Sequence, residues 1–241
     1  MMNPQMQVRI NKYLSDSGVA SRRKVEDLIL QSRVSINNKI VNDLSTKVDT
    51  ALDQVKVDGE IVSNKKHVYY LMNKPKGVIT TTHDEKGRTT VVDLIKNEKG
   101  IYPIGRLDFN TTGVLLLTND GDFSYLLTHP RHKVTREYDV KLDRDLTEDD
   151  RKRLASGITL DSKKSKFESI QLRSNKKRSI LLVKCYEGRN HFVKRMFSSL
   201  GYTVTALHRY SFAGITADIP SGAYRRLSIS EIKNITKQYA L

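Results

Sequence analysis

The 241-residue sequence predicts an α+β fold in two domains: a small helix-helix-hairpin domain over residues 1–65, and a larger one over 66–241 with a mixed, mainly antiparallel sheet flanked by helices. Three observations carry this expectation. Apolar residues recur at helical spacing twice near the N-terminus, then give way to short β-branched runs separated by turn dipeptides. Ser63 to His67 is a polar, basic stretch of the kind that links domains. Beyond it, short strand-like runs are separated by turns and helix-sized segments. The chain is long enough to bury a substantial core without covalent staples.

In the small domain Ile10, Tyr13 and Leu14 stand at i, i+3 and i+4, and Gly18 suits the helix end. Ser21 caps a second helix whose buried stripe is Val25, Leu28 and Ile29. Its first turn holds Arg22, Arg23 and Lys24. Cations there oppose the helix dipole, so phosphate binding explains them better than local stability. VSINNKIV follows with a turn at Asn37-Asn38, and QVKVDGEIV carries the hairpin signal Asp58-Gly59.

The large domain opens with YYLMNKPKGVITTT, read as strand, turn, strand, with Pro75 and Gly77 shaping the turn between Lys74 and Lys76. Val114 to Leu117 is a buried strand bounded by Gly113 and by Asn119-Asp120-Gly121. Just before it, an extended Arg106 to Asp108 would put the guanidinium beside the carboxylate and favour its ionised form. An ionised Asp in a cleft can be a nucleophile, although the same residue types also serve to close a loop. Strands are expected around Tyr138, Leu172, Leu182 and Val204, with a helix from a Thr147 cap through Leu154 to Gly157. Alternation in VTREYDVKL does not aim Tyr138, because its facing depends on register. EGRNHFVKRMFSSLG reads as a helix capped by Asn190 and stopped by Gly201, with Val193, Met196, Phe197 and Leu200 buried and His191, Lys194 and Arg195 on its other faces.

With 42 Lys and Arg against 27 Asp and Glu, the net charge of +15 makes a polyanion the natural partner. Residues 1–65 carry 10 cations and 8 acids, net +2, so the excess of +13 lies in the large domain. No apolar run approaches the roughly 18 residues of a membrane span, and the N-terminus lacks a signal-peptide core, so a soluble cytoplasmic protein is expected. Cys185 is the sole cysteine and is expected as a small buried hydrophobe. The six histidines show no ligand spacing, and neither a P-loop nor GxGxxG is present, so no metal or cofactor is expected.

GRLDFNTTGVLLLTNDGDF, together with the NKPKG segment, the REYDV string and EGRNHFVKRM, resembles the RsuA/RluB-type pseudouridine synthases, with a lean toward the RluB-like branch. RINKYLSDSGVASRRKVEDLILQSRVSINNKIV is similar to the alpha-L RNA-binding domain named after ribosomal protein S-four. These resemblances imply isomerisation of uridine to pseudouridine in ribosomal RNA, 23S favoured with a small-subunit 16S-specific synthase as the alternative, by a monomer acting on free or partly assembled subunits. Asp108 would be the catalytic residue, Tyr138 the residue packed on a flipped-out base, Lys194 the cation paired with Asp108 (Arg195 its neighbouring candidate), and Arg106 a residue opening the stack. RNA contacts are implied for Arg22, Arg23, Lys24, Arg33, Lys39, Lys74, Lys76, Arg189, His191 and Arg195. Two positions depart from the pattern: Ser32 replaces a frequent Gly, implying a differently shaped turn, and Phe192 replaces a polar residue. The rival reading is a non-catalytic RNA-binding or ribosome-assembly protein. A DNA-binding protein would need a recognition helix in a dimeric pattern, which is not evident.

Overall fold

The computed structural model describes residues 7–63, 66–96, 98, 100–173 and 177–240, so two residues of the expected linker, Asn64 and Lys65, lie outside it. The chain divides into two compact units, Met1–Val68 with Glu98–Gly100, and Tyr69–Asn97 with Ile101–Leu241. Among the described residues no helix is long and apolar enough to cross a membrane.

The first unit runs β1 (Gln7–Arg9), α1 (Ile10–Asp16), α2 (Arg22–Leu30), β2 (Val34–Ile36), β3 (Lys39–Val41), β4 (Lys47–Asp49), β5 (Val55–Val57) and β6 (Glu60–Ile61). Ile10, Leu14, Val25, Ile29, Val34 and Val48 are wholly buried and form its core. The Ser21 hydroxyl accepts the amide of Lys24, capping α2 as its position predicts. Asn37 and Asn38 both take positive φ, as do Asp58 and Gly59, and each pair closes an antiparallel hairpin. Ser32 corrects one expectation. It adopts φ +58 despite its Cβ, so the left-handed turn is kept without glycine.

The second unit contains β7 (Tyr69–Lys74), β8 (Tyr102–Pro103), β9 (Thr112–Thr118), α3 (Gly121–Thr128), β10 (Arg136–Leu142), α4 (Glu148–Ser156), β11 (Ile158–Leu160), β12 (Lys163–Ser165), β13 (Ser169–Leu172), β14 (Ile180–Cys185), α5 (Phe192–Ser198), β15 (Val204–Phe212), β16 (Ile215–Thr216), β17 (Tyr224–Arg226) and α6 (Ile229–Tyr239). Its sheet runs β13-β14-β10-β15-β9-β7-β17, with β16 on β15 and β8 on β9. Only the β15–β9 pairing is parallel, so the sheet is mixed and mainly antiparallel. Leu71, Leu116, Phe123, Leu127, Phe212, Ile235 and Tyr239 pack together, drawing α3 and α6 onto the sheet.

Local signals fail at three places. Val78 to Thr82 is no strand, because Ile79 makes a single bridge to Thr90. Asn119-Asp120-Gly121 is a helix start, since the Asp120 carboxylate accepts the amides of Asp122 and Phe123. Asn190 does not cap α5; His191 stands at the cap at φ +51, and its side chain makes no capping hydrogen bond.

Gly113 is where β9 and β15 approach most closely: at φ +107 it faces Arg209, and a Cβ there would land on the Arg209 backbone carbonyl. Gly113→Ala is therefore expected to lower the unfolding free energy by about 2–4 kcal/mol, through overpacking and backbone strain. Urea unfolding followed by circular dichroism measures this; a loss below about 0.5 kcal/mol would contradict the close approach.

Candidate active site

Asp108 follows a turn that the sequence shapes residue by residue. Gly105 takes φ +71, Leu107 is buried, and the Thr80 hydroxyl donates to the Leu107 carbonyl at 2.6 Å. The backbone carbonyls of Asp108 and Thr111 both accept from the ammonium of Lys74, at 3.2 and 3.0 Å, and that of Pro75 accepts at 3.1 Å. Lys74 has no solvent exposure. It is thus the post on which the Asp108 loop hangs, and the expectation that it touches RNA is corrected: the strand end that offers a lysine also buries it.

The Asp108 side chain is charge-paired from across the fold. Lys194 Nζ lies 2.6 Å from one carboxylate oxygen and His191 Nε2 3.2 Å from the other. The expected Arg106–Asp108 pairing is not formed. With Leu107 pinned inward and the carboxylate turned to α5, Arg106 stays exposed on the lip. Arg195, one residue beyond Lys194, points elsewhere and pairs with Asp161.

These groups border a cleft of about 900 Å³ lined by Arg106, Asp108, Tyr138, Arg189 and His191 among others, with Arg136 and Arg209 in its walls. Tyr138 and Arg209 are cross-strand partners on β10 and β15, next to a bulge at Glu137/Tyr138 that aims the ring. Burial pushes the phenol of Tyr138 above its ordinary range, while the Arg209 guanidinium beside it works the other way. Burial also lowers the pKa of Arg209 and takes Lys74 down to about 8, against the attraction of Asp108. Arg136 bonds the carbonyls of Val134 and Tyr186 at 2.9 and 2.7 Å, and Arg209 that of Val114 at 2.6 Å. Three buried cations therefore end on neutral carbonyls, and their field favours an anion in the cleft.

The remaining predicted contacts divide. Arg189 is engaged inside the protein by Glu187, Asp161, Ser165 and the Leu160 carbonyl, which ties down the β11–β12 hairpin. That hairpin presents Lys163 and Lys166 to the cleft. Sequence reasoning passed over both, although the run Lys163-Lys164-Ser165-Lys166 was a visible signal. Lys76 is exposed, as are Arg22, Arg23, Lys24, Arg33 and Lys39 in the first unit. Arg33 holds Asp58 by two bonds of 2.6 and 2.8 Å, which partly spends its charge. Phe192 is buried edge-on to Phe167, so the departure from a polar residue adds core contact. Cys185 is buried, and its thiol is pushed up to about 12 by desolvation. Among the described residues no cluster of His, Cys, Asp or Glu has the makings of a metal site.

Comparison with known proteins agrees along the chain. Residues 68–199 match the family described as RNA pseudouridylate synthase, and residues 8–53 match the S4 domain. The chain is 40% identical over 232 residues to ribosomal large subunit pseudouridine synthase B of Bacillus subtilis (strain 168), covering 94% of this chain and 95% of that one. It is 38% identical over 240 residues to an uncharacterized RNA pseudouridine synthase of Aquifex aeolicus (strain VF5), covering 98% and 96%. A solved structure described as a pseudouridylate synthase superposes with a TM-score of 0.68 at 28% identity, covering 95% of this chain and 99% of that one.

Lys74 gives a test of the loop's support. Lys74→Met leaves three carbonyls without their donor, and a loop shift of about an ångström is expected to lower kcat roughly a hundredfold. Stability carries a pH signature. Above about 8 the folded lysine has released its proton while the unfolded chain holds one up to about 10, so stability rises with pH across that window. Urea unfolding between pH 7 and 10 should show wild type gaining on Lys74→Met from about pH 8 upward and a constant difference below it. A difference flat to pH 10 would refute the buried cation.

Proposed function

Since the chain belongs to the RNA pseudouridylate synthase family, we propose that its substrate is a specific uridine of 23S ribosomal RNA and that Asp108 is the nucleophile. The observation that supports this best is the carboxylate of Asp108 held 2.6 Å from Lys194 beside a cleft walled by Tyr138 and buried cations. The name of the Bacillus subtilis relative favours the large subunit. The protein acts as a monomer in the cytoplasm, on free or partly assembled subunits.

The reaction breaks the N1–C1′ bond, turns the uracil and joins C5 to C1′, while the C5 proton leaves and N1 gains one. Product and substrate are isomers, so no redox or energy donor enters the balance. Lys194 and His191 hold the Asp108 carboxylate for attack, at C6 of the base or C1′ of the sugar. A uridine reaches Asp108 only once flipped from its stack, and Arg106, exposed on the lip, fills the space it leaves. Tyr138 packs against the base, and its hydroxyl or a water takes the C5 proton. Exposed Lys76, Lys163 and Lys166 hold phosphates, while Arg22, Arg23, Lys24 and Lys39 of the S4 domain bind RNA elsewhere.

Pseudouridine mapping by chemical labelling and primer extension, on unmodified 16S and 23S RNA, tests this reading. One new stop in 23S RNA is expected with wild type, none with Asp108→Asn, and a rate lowered about a hundredfold or more with Lys194→Met. Filter binding by Asp108→Asn should persist, since the change removes the nucleophile and keeps the shape. Modification that survives in Asp108→Asn would reject the nucleophile; a stop in 16S RNA alone would reject the large subunit.

A further inference from the structure

Beside the cleft, the end of α3 and the turn after it carry an aromatic and basic surface that the reaction itself does not use. Tyr125 is 47% exposed, unusual for so large a ring on a helix packed on the sheet. His129 lies 4.8 Å from it between ring centroids, tilted by 38°, and the Arg131 guanidinium sits 5.4 Å from the Tyr125 centroid. His132 completes the group at 6.1 Å from both rings. His129, Pro130 and Lys133 also line the cleft, so the aromatic surface and the cleft share a border.

This surface is held rigid. The His129 Nδ1 accepts the amide of Arg131 at 3.3 Å, and Arg131 Nε donates to His132 Nε2 at 3.0 Å. With Nε2 accepting, His132 Nδ1–H donates to the Tyr239 carbonyl at 2.9 Å, which ties the turn to α6. Arg131 has no carboxylate partner among the described residues, so its charge is available to an outside anion. A contact between aromatic residues four apart is ordinary helix chemistry. Half-open rings flanked by an unpaired guanidinium and the exposed Lys133 are what stacking on a nucleobase and holding its phosphate require.

We propose that Tyr125, His129 and Arg131 form a stacking platform for an unpaired nucleotide flanking the uridine in the cleft. This rests on the synthase reading for its substrate and adds which face of the domain takes the neighbouring base. Because the rings are already fixed, little order is lost on binding, and the platform selects targets whose neighbour is unpaired. Duplex flanks keep their bases within the helix and gain nothing from it.

The test uses the full chain and a 23S fragment that wild type binds, with each of its unpaired bases replaced in turn by an abasic residue. Tyr125→Ala should weaken binding of the intact fragment about tenfold, Tyr125→Phe should retain it, and Arg131→Gln should lower the salt slope by about one. One abasic fragment should cost wild type about tenfold and cost Tyr125→Ala nothing further, which identifies the stacked base. Equal affinity across the protein variants while modification proceeds overturns the platform and leaves the synthase standing. Losses that multiply also overturn it, since ring and base would then act independently. Tyr125-dependent binding without any modification keeps the platform and overturns the synthase reading.

Discussion

The ammonium of Lys74 is the constraint on which the site depends. It has no solvent exposure and joins the end of one strand to three backbone carbonyls, two of them in the Asp108 loop. Burying a cation costs several kcal/mol even after relaxation, and charge-assisted bonds to oriented carbonyls offset much of that. Because the bonds go to backbone, they fix the path of the loop rather than one side chain. Asp108 is therefore held in a position set by β7 and β9. Arg136 and Arg209 use the same device against Phe212, whose ring centroid lies 5.2 and 4.7 Å from their guanidinium carbons.

Helix α5 then distributes its charges by geometry. Successive residues on a helix point about 100° apart, so Lys194 and Arg195 cannot serve the same carboxylate. Lys194 takes Asp108, and Arg195 takes Asp161 at the tip of the β11–β12 hairpin. One short helix thus holds the Asp108 carboxylate and anchors a lysine-bearing hairpin at the cleft edge. His191, at positive φ ahead of the first turn, is the residue whose backbone turns far enough to reach the second Asp108 oxygen.

What was legible in the sequence followed from how local each signal is. Asn37-Asn38 and Asp58-Gly59 announced left-handed hairpin turns, and the helices capped by Ser21 and Thr147 began where their caps said. Asp161-Ser162 makes the same kind of turn without a glycine or an Asn-Gly pair to mark it, and went unread. In the site, motifs singled out Asp108, Tyr138 and Lys194. Their geometry was not legible, because Asp108 and Lys194 are 86 positions apart and the nearer Arg106 was the better local guess. Lys74 failed for the opposite reason. A lysine in a basic turn reads as surface, and only the strands packed around it reveal that it is interior.

That last error changes what the charge balance means. The excess of cations in the large domain suggests a broad basic surface, yet Lys74, Arg136 and Arg209 lie inside it. Their charge cannot be screened by salt as exposed lysines are, and it reaches outward mainly where the cleft removes the low-dielectric wall. Two kinds of positive charge result. Exposed Lys76, Arg131, Lys133, Lys163 and Lys166 present charge of the kind that attracts a polyanion in a salt-dependent way, without preference for a particular base. Buried Arg136 and Arg209 face only what enters the cleft beside Asp108. The exposed and the buried cations are therefore separate sets, so the charge of the surface can change without altering the charge built into the cleft walls.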